Sequence, residues 1–204
     1  MAHRPNVTMH GLLAPMLAVW VLCSASSCDV TRTYSSPSFD GRVTERDTDR
    51  PIAGAIVAVR WGGTSRSFAT GMFICLHTAQ TTTDADGRYR LDGCKSRAPQ
   101  LAVDSFHRDI NAYKAGYGPR TVTSADVALA EATGTADERI RLPGDFAGRT
   151  ECLEDGPEGR KLSVALHRRL LEDIEQAEAS AAAKASEIQY FERRIDYRER
   201  EGRE

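Results

Sequence analysis

The sequence predicts a mainly β fold: a sandwich of about six or seven short strands followed by a C-terminal α-helical extension. Three observations carry this expectation. Apolar residues alternate with period two between Ala55 and Trp61, the pattern of a strand with two distinct faces. Short runs of this kind are separated by Gly, Pro and Asp, which favour turns. From Arg160 to about Arg200, apolar residues recur near a 3.6-residue spacing instead, which is a helical stripe.

The chain begins with a different kind of segment. Arg4 is the first fixed charge and no acidic residue precedes Asp29. The apolar run Gly11–Leu22 is too short for a membrane-spanning helix, which needs roughly 20 residues. A basic end, a short apolar centre and the small residues Ser24–Ser27 read as a secretory signal peptide over residues 1–27. The stretch Ala25–Cys28 resembles a bacterial lipobox, with Ala25 where Leu is usual. That resemblance implies lipid attachment at Cys28, and Asp29 resembles an inner-membrane retention signal. Cleavage after Ala25, leaving a soluble secreted protein, is the alternative. Residues 28–37 are polar and rich in Ser and Thr, as a flexible tether would be.

The 204 residues carry 27 basic and 29 acidic side chains, a formal charge of −2. No basic excess points to nucleic acid as a partner, and no acidic block forms a charged tail. Of the five cysteines, Cys23 would leave with the signal and Cys28 would carry lipid. Cys75, Cys94 and Cys152 remain, in an oxidising compartment where a disulfide is expected more often than a metal site. Cys75 and Cys94 flank one turn and form the favoured pair, with Cys152 as a competing partner for either.

The strands follow in order. Ser38–Arg46 is the first, with Phe39 and Val43 apolar, and Asp47–Pro51 supplies a turn. Ile52–Trp61 sets Ala55, Val57, Val59 and Trp61 on one face. Phe73–Thr83 and Gly87–Leu91 flank a turn that holds Asp84, Asp86 and Gly87. Ile110–Tyr117 and Asp126–Ala130 complete the set.

The turn has a chemical alternative, because two carboxylates spaced i, i+2 before glycine occur in calcium loops. An EF-hand loop needs carboxylates at its first and twelfth positions as well. Here those positions are Thr82 and Gly93, so the ion reading lacks its decisive ligands. A β-hairpin, with Asp84 bonding local N–H groups and Gly87 at positive φ, accounts for the same residues.

Four segments, Gly41–Val43, Pro51–Val59, Thr83–Leu91 and Lys114–Tyr117, occur in order and resemble the carboxypeptidase regulatory-like domain. The resemblance covers residues 38–133. It implies a seven-stranded, transthyretin-like (prealbumin-like) sandwich that serves as an accessory structural or protein-binding module, without catalytic residues or cofactor of its own. Together with the lipobox it implies a bacterial lipoprotein, anchored to a membrane, facing the periplasm and contacting another envelope protein.

Residues 134–158 read as a linker with one short helix, capped by Thr135 with Asp137 and Glu138 at its positive end. Residues 159–200 read as a long amphipathic helix, docked on the sandwich or folded into a hairpin. A partner-binding helix and, less favoured, a membrane-surface helix are the alternatives.

An enzyme is the competing function. His77, His107 and His167 are the histidines of the mature chain able to act as bases. Cys75 and His77, two apart on one strand, would share a face near Cys94, but a fourth zinc ligand is not evident and no metal is expected. The transthyretin fold also hosts hydroxyisourate hydrolases, whose Tyr-Arg-Gly-Ser-type tail is replaced here by Arg198–Glu204. A periplasmic hydrolase or metal-dependent enzyme using the His77 region is therefore the second reading, and a non-catalytic module the first.

Overall fold

The computed structural model describes residues 31–65, 72–99, 103, 105–152 and 156–201. Residues 1–27, read as a signal peptide, and Cys28 lie outside these. Two compact units divide after Thr31, and the second, Arg32–Glu204, carries the architecture below.

Among the described residues, nine strands form three sheets. They are β1 (Thr31–Ser36), β2 (Phe39–Glu45), β3 (Ile56–Ser65), β4 (Met72–Thr82), β5 (Arg88–Leu91), β6 (Cys94–Pro99), β7 (Ser105–Tyr113), β8 (Arg120–Val122) and β9 (Val127–Leu129). One sheet has the order β5-β2-β9, a second β4-β3-β7-β8, and β1 pairs with β6 in a third. The architecture is thus mainly β and sandwich-like, with nine described strands where the sequence led us to expect seven. Six of the nine overlap the runs that alternation places; β1, β6 and β8 do not, and they carry little apolar alternation.

The sandwich core lies between the first two sheets. Val43, Tyr89, Leu91, Val127 and Leu129 meet Val57, Val59, Trp61, Ile110 and Ala112, all buried. Period two thus works as the sequence indicates for β3, and the residues between, Ile56 and Ala58, face the other way.

Thr31–Ser36, placed in a flexible tether by composition, is instead the strand β1. Its anchor is Tyr34, 5% exposed, which packs on Ala98 and Val103 and donates a hydrogen bond to the Val103 carbonyl at 3.1 Å. Thr and Tyr favour extended backbone, and one buried aromatic is enough to fix a polar strand against a neighbour.

The turn before β5 also differs from expectation. β4 pairs with β3, whereas β5 pairs antiparallel with β2, Phe39 opposite Leu91. Residues 83–87 are therefore a crossover between two sheets and not a hairpin within one.

Four helices follow: α1 (Ala136–Arg139), α2 (Leu142–Thr150), α3 (Pro157–Gln176) and α4 (Ala181–Glu201). Thr135 and Glu138 form a reciprocal capping box on α1, as the cap residues suggest. The long helix expected over 159–200 is two helices, because Ala177 leaves the helical region at ψ 146°. Ser180 then takes the N-terminal end of the next helix, accepting a hydrogen bond from Ala183 N–H at 3.3 Å. The alanine-rich centre offers too little apolar area to hold a straight helix against folding back.

The hairpin of α3 and α4 is docked. Leu166, Leu170, Ile174 and Phe191 join Phe146 and Ile140 against Ile56, Ala58 and Tyr113 on the outer face of β3 and β7. The Tyr113 and Phe146 rings stack at 5.4 Å. Among the described residues no helix is long and apolar enough to cross a membrane.

Candidate functional site

The turn residues singled out by sequence are committed to backbone bonding. Asp84 Oδ1 accepts hydrogen bonds from the Asp86 and Arg88 N–H groups at 2.9 and 2.8 Å. Gly87 has φ 71°, and a Cβ there would lie 2.5 Å from the Val43 carbonyl oxygen. Thr83 closes the crossover, its hydroxyl donating to Ile52 O at 2.7 Å and accepting from Ala55 N–H at 2.8 Å. Among the described residues no group of three or more His, Cys, Asp and Glu side chains is arranged to hold a metal ion.

The cysteines pair differently from the favoured expectation. Cys75 is bonded to Cys152, with Cα atoms 5.5 Å apart, and Cys94 is a free, buried thiol. A register shift between Trp61 and Gly62 decides this outcome. It sets Trp61 opposite His77 but Gly62 opposite Cys75, so the two β4 residues no longer share a face. His77 stays with Trp61, ring centroids 5.4 Å apart, and Cys75 turns to the helix side where Cys152 waits. Cys94 belongs to the sandwich core, where burial pushes its thiol pKa up. The disulfide therefore replaces the Cys75–His77–Cys94 grouping that a metal would need.

Beside the disulfide lies a polar network that no sequence motif announces. Glu151 accepts from Arg198 Nη2 at 2.9 Å and also pairs with Arg194. Arg198, only 3% exposed, donates to the Cys152 carbonyl at 3.2 Å as well. His167 is buried against Phe191, and its Nδ1 lies 2.7 Å from the Ser163 carbonyl oxygen. A carbonyl only accepts, so Nδ1 carries the proton and Nε2 is bare in the neutral ring. Burial, with the Arg198 charge nearby, holds this imidazole below its usual pKa. Charges at i and i+4 on a surface-type helix look solvated in sequence; only docking buries them.

His107 is half-buried on β7, 3.9 Å from Asp109, whose other oxygen takes Arg60 at 3.3 Å. His167 lies 3.4 Å from Ser163 Oγ, a hydroxyl one turn away on the same helix.

A concavity of mixed chemistry lies where α1, α2 and the α3–α4 turn meet the β7–β8 turn. This cleft has a volume of about 430 Å³. Ile140, Leu142, Pro143 and Ala177 give it apolar walls, and Tyr113 and Asp173 supply polar groups. Burial pushes the half-buried Asp173 carboxyl up, against the opposing pull of Arg169 and Lys114. Burial first, and the Asp173 charge second, keep the Tyr113 hydroxyl protonated. Nearby, Asp137 joins α1 to the α3–α4 turn, accepting from the Ser180 N–H and hydroxyl, each at 2.7 Å. An open cleft with apolar walls and a few polar groups suits a small ligand or one inserted side chain. Sequence reading missed Asp173 because it looks like one more charge on a solvated helix face.

No protein-family model matches the chain, and no curated protein matches it. Among solved structures, an alternative pilotin from the type II secretion system of Vibrio cholerae is similar over 50% of this chain and 100% of its own. The identity is 14% and the TM-score 0.28, a likeness too loose to carry an argument about fold or function.

Proposed function

We propose that this protein is a non-catalytic, lipid-anchored component of a bacterial cell envelope, held at Cys28 and facing the periplasm. In this reading the sandwich is a scaffold of the transthyretin-like, carboxypeptidase regulatory-like kind. The docked helices turn it into a binding module. The observation that carries the binding role is the cleft of about 430 Å³, walled by Ile140 and Leu142 with Asp173 inside it. A fixed scaffold supports such a role because the disulfide ties the helical region to β4 and the Glu151 pairs tie the end of α2 to α4, which favours a cleft formed before any ligand arrives. The setting of His77, tilted against the Trp61 ring and on the opposite face of β4 from a cysteine spent in a disulfide, lends no support to a hydrolase.

Two measurements test the reading. Metabolic lipid labelling is expected in the intact chain and lost in Cys28→Ala. A photo-crosslinking residue at position 178, on the cleft rim, is expected to give a discrete adduct in intact cells. Adding Ala115→Trp, which fills the mouth of the cleft from an exposed position, should abolish that adduct. An adduct indifferent to the tryptophan rules the cleft out as the binding site.

A further inference from the structure

The reading of the cleft as a binding site leaves its chemistry open, and the charges lining it narrow the choice. We propose that the cleft takes a small primary amine with an apolar body, its ammonium group on Asp173 and the C-terminal carbonyls of α3. This assignment rests on the binding role just given.

Three observations lead to it. First, Asp173 is half-buried and holds a hydrogen bond from the Tyr113 hydroxyl but, among the described residues, no ion pair; Arg169 and Lys114 act on it only at longer range. A half-buried carboxylate without a paired cation is costly to keep charged, and a ligand cation relieves that cost. Second, Asp173 lies in the last turn of α3, which contains no basic residue. A helix C-terminus carries partial negative charge, ordinarily offset by Lys, Arg or His. Here Lys184 donates to the Glu175 carbonyl at 3.0 Å and the Ala177 N–H to the Ile174 carbonyl at 3.2 Å, so the last-turn residues that line the cleft, Asp173 and Gln176, keep carbonyls uncommitted by those bonds. Third, Arg139 and Glu178 at the rim are both exposed and of opposite sign, so Asp173 sets the charge inside.

The rest of the ligand follows from the walls. Ile140, Leu142, Pro143 and Ala177 present apolar surface, so the amine must carry a hydrophobic body to displace water from them. An ammonium has three donors, enough to meet the Asp173 carboxylate and helix carbonyls together. An anionic amphiphile would set its charge against Asp173 and is excluded.

The test is titration calorimetry of the full chain with hexylamine, and with hexanol and hexanoate of similar length. Hexylamine is expected to bind saturably at one site, and hexanoate not at all. Asp173→Asn should weaken hexylamine binding by about tenfold or more, as loss of a charge-assisted hydrogen bond does. Ala115→Trp should block it, with circular dichroism confirming that both variants keep the native spectrum. In the unsubstituted chain, affinity should fall on acidification as Asp173 takes up a proton, at a pH above the ordinary carboxylate range. Equal binding of hexanoate or hexanol, or binding unchanged in Asp173→Asn, overturns the assignment. If hexylamine fails while the adduct at position 178 persists and still depends on Ala115, the amine chemistry falls and the binding cleft stands.

Discussion

Gly87 shows how much one backbone angle can decide. Its φ of 71° lets the chain cross from β4 to β5, and the Val43 carbonyl lies where a side chain would begin. Gly87→Ala is expected to cost about 1–3 kcal/mol, read as a lower urea midpoint, because both left-handed strain and a clash oppose the methyl group. His167 makes a different prediction, set by pH. Its pKa is lowered in the folded protein by burial first. Unfolding restores a value near 6.5, so below that pH the unfolded chain binds a proton that the folded chain refuses. Stability from this site is complete above about pH 6.5 and declines as pH falls toward the lowered value. Protonation would also place a third cation near Arg194 and Arg198, against the single carboxylate Glu151 that binds both. Urea titrations at pH 7.5 and 5.5 should show this loss, and His167→Gln should shrink the difference between them. An equal loss in the variant would assign the pH dependence elsewhere.

At the scale of elements, the α3–α4 hairpin and its tether to β4 are the features to test. Leu170 is fully buried between the helices and the sheet, so Leu170→Ala should lower stability by about 2–5 kcal/mol through lost burial and the cavity left behind. The Cys75–Cys152 bridge spans 77 residues of sequence. Closing a loop of that length restricts the unfolded chain, and Cys152→Ser should cost about 4 kcal/mol in the chain-entropy account. Peptide mapping without reductant should recover Cys75 joined to Cys152, and Cys94 should alkylate only after denaturation. The elements themselves were unequally legible. β2, β4, β5 and β9 fall where alternation and turn residues place them, and Thr135 caps a helix as its neighbours suggest. β1 escaped because its composition is that of a linker, and a single buried Tyr34 outweighs that composition. The break near Ala177 escaped because alanine favours helix everywhere, so propensity is silent about where a helix should fold back.

For the whole molecule, the sandwich and the helices share one sheet: β3 gives Val57 and Val59 to one core and Ile56 and Ala58 to the other. They are therefore expected to unfold together. From residue 28 onward Trp61 is the chain's sole tryptophan and reports the sandwich core, while far-ultraviolet dichroism is dominated by the helices. The two signals should trace one transition in urea; separate midpoints would show that the helices are held more weakly than the shared core implies. The sequence by itself determined the mainly β character, the faces of β3, the local turn at Asp84–Gly87 and the apolar stripe of the final helices. These rest on periodicity and on backbone preferences that act over a few residues. Tertiary structure decided which sheet each strand joined, which cysteines met and where Asp173 and Arg198 became buried. Each of those depends on groups distant in sequence: a one-residue register shift turned Cys75 toward Cys152, and helix docking converted ordinary surface charges into a buried network and a cleft.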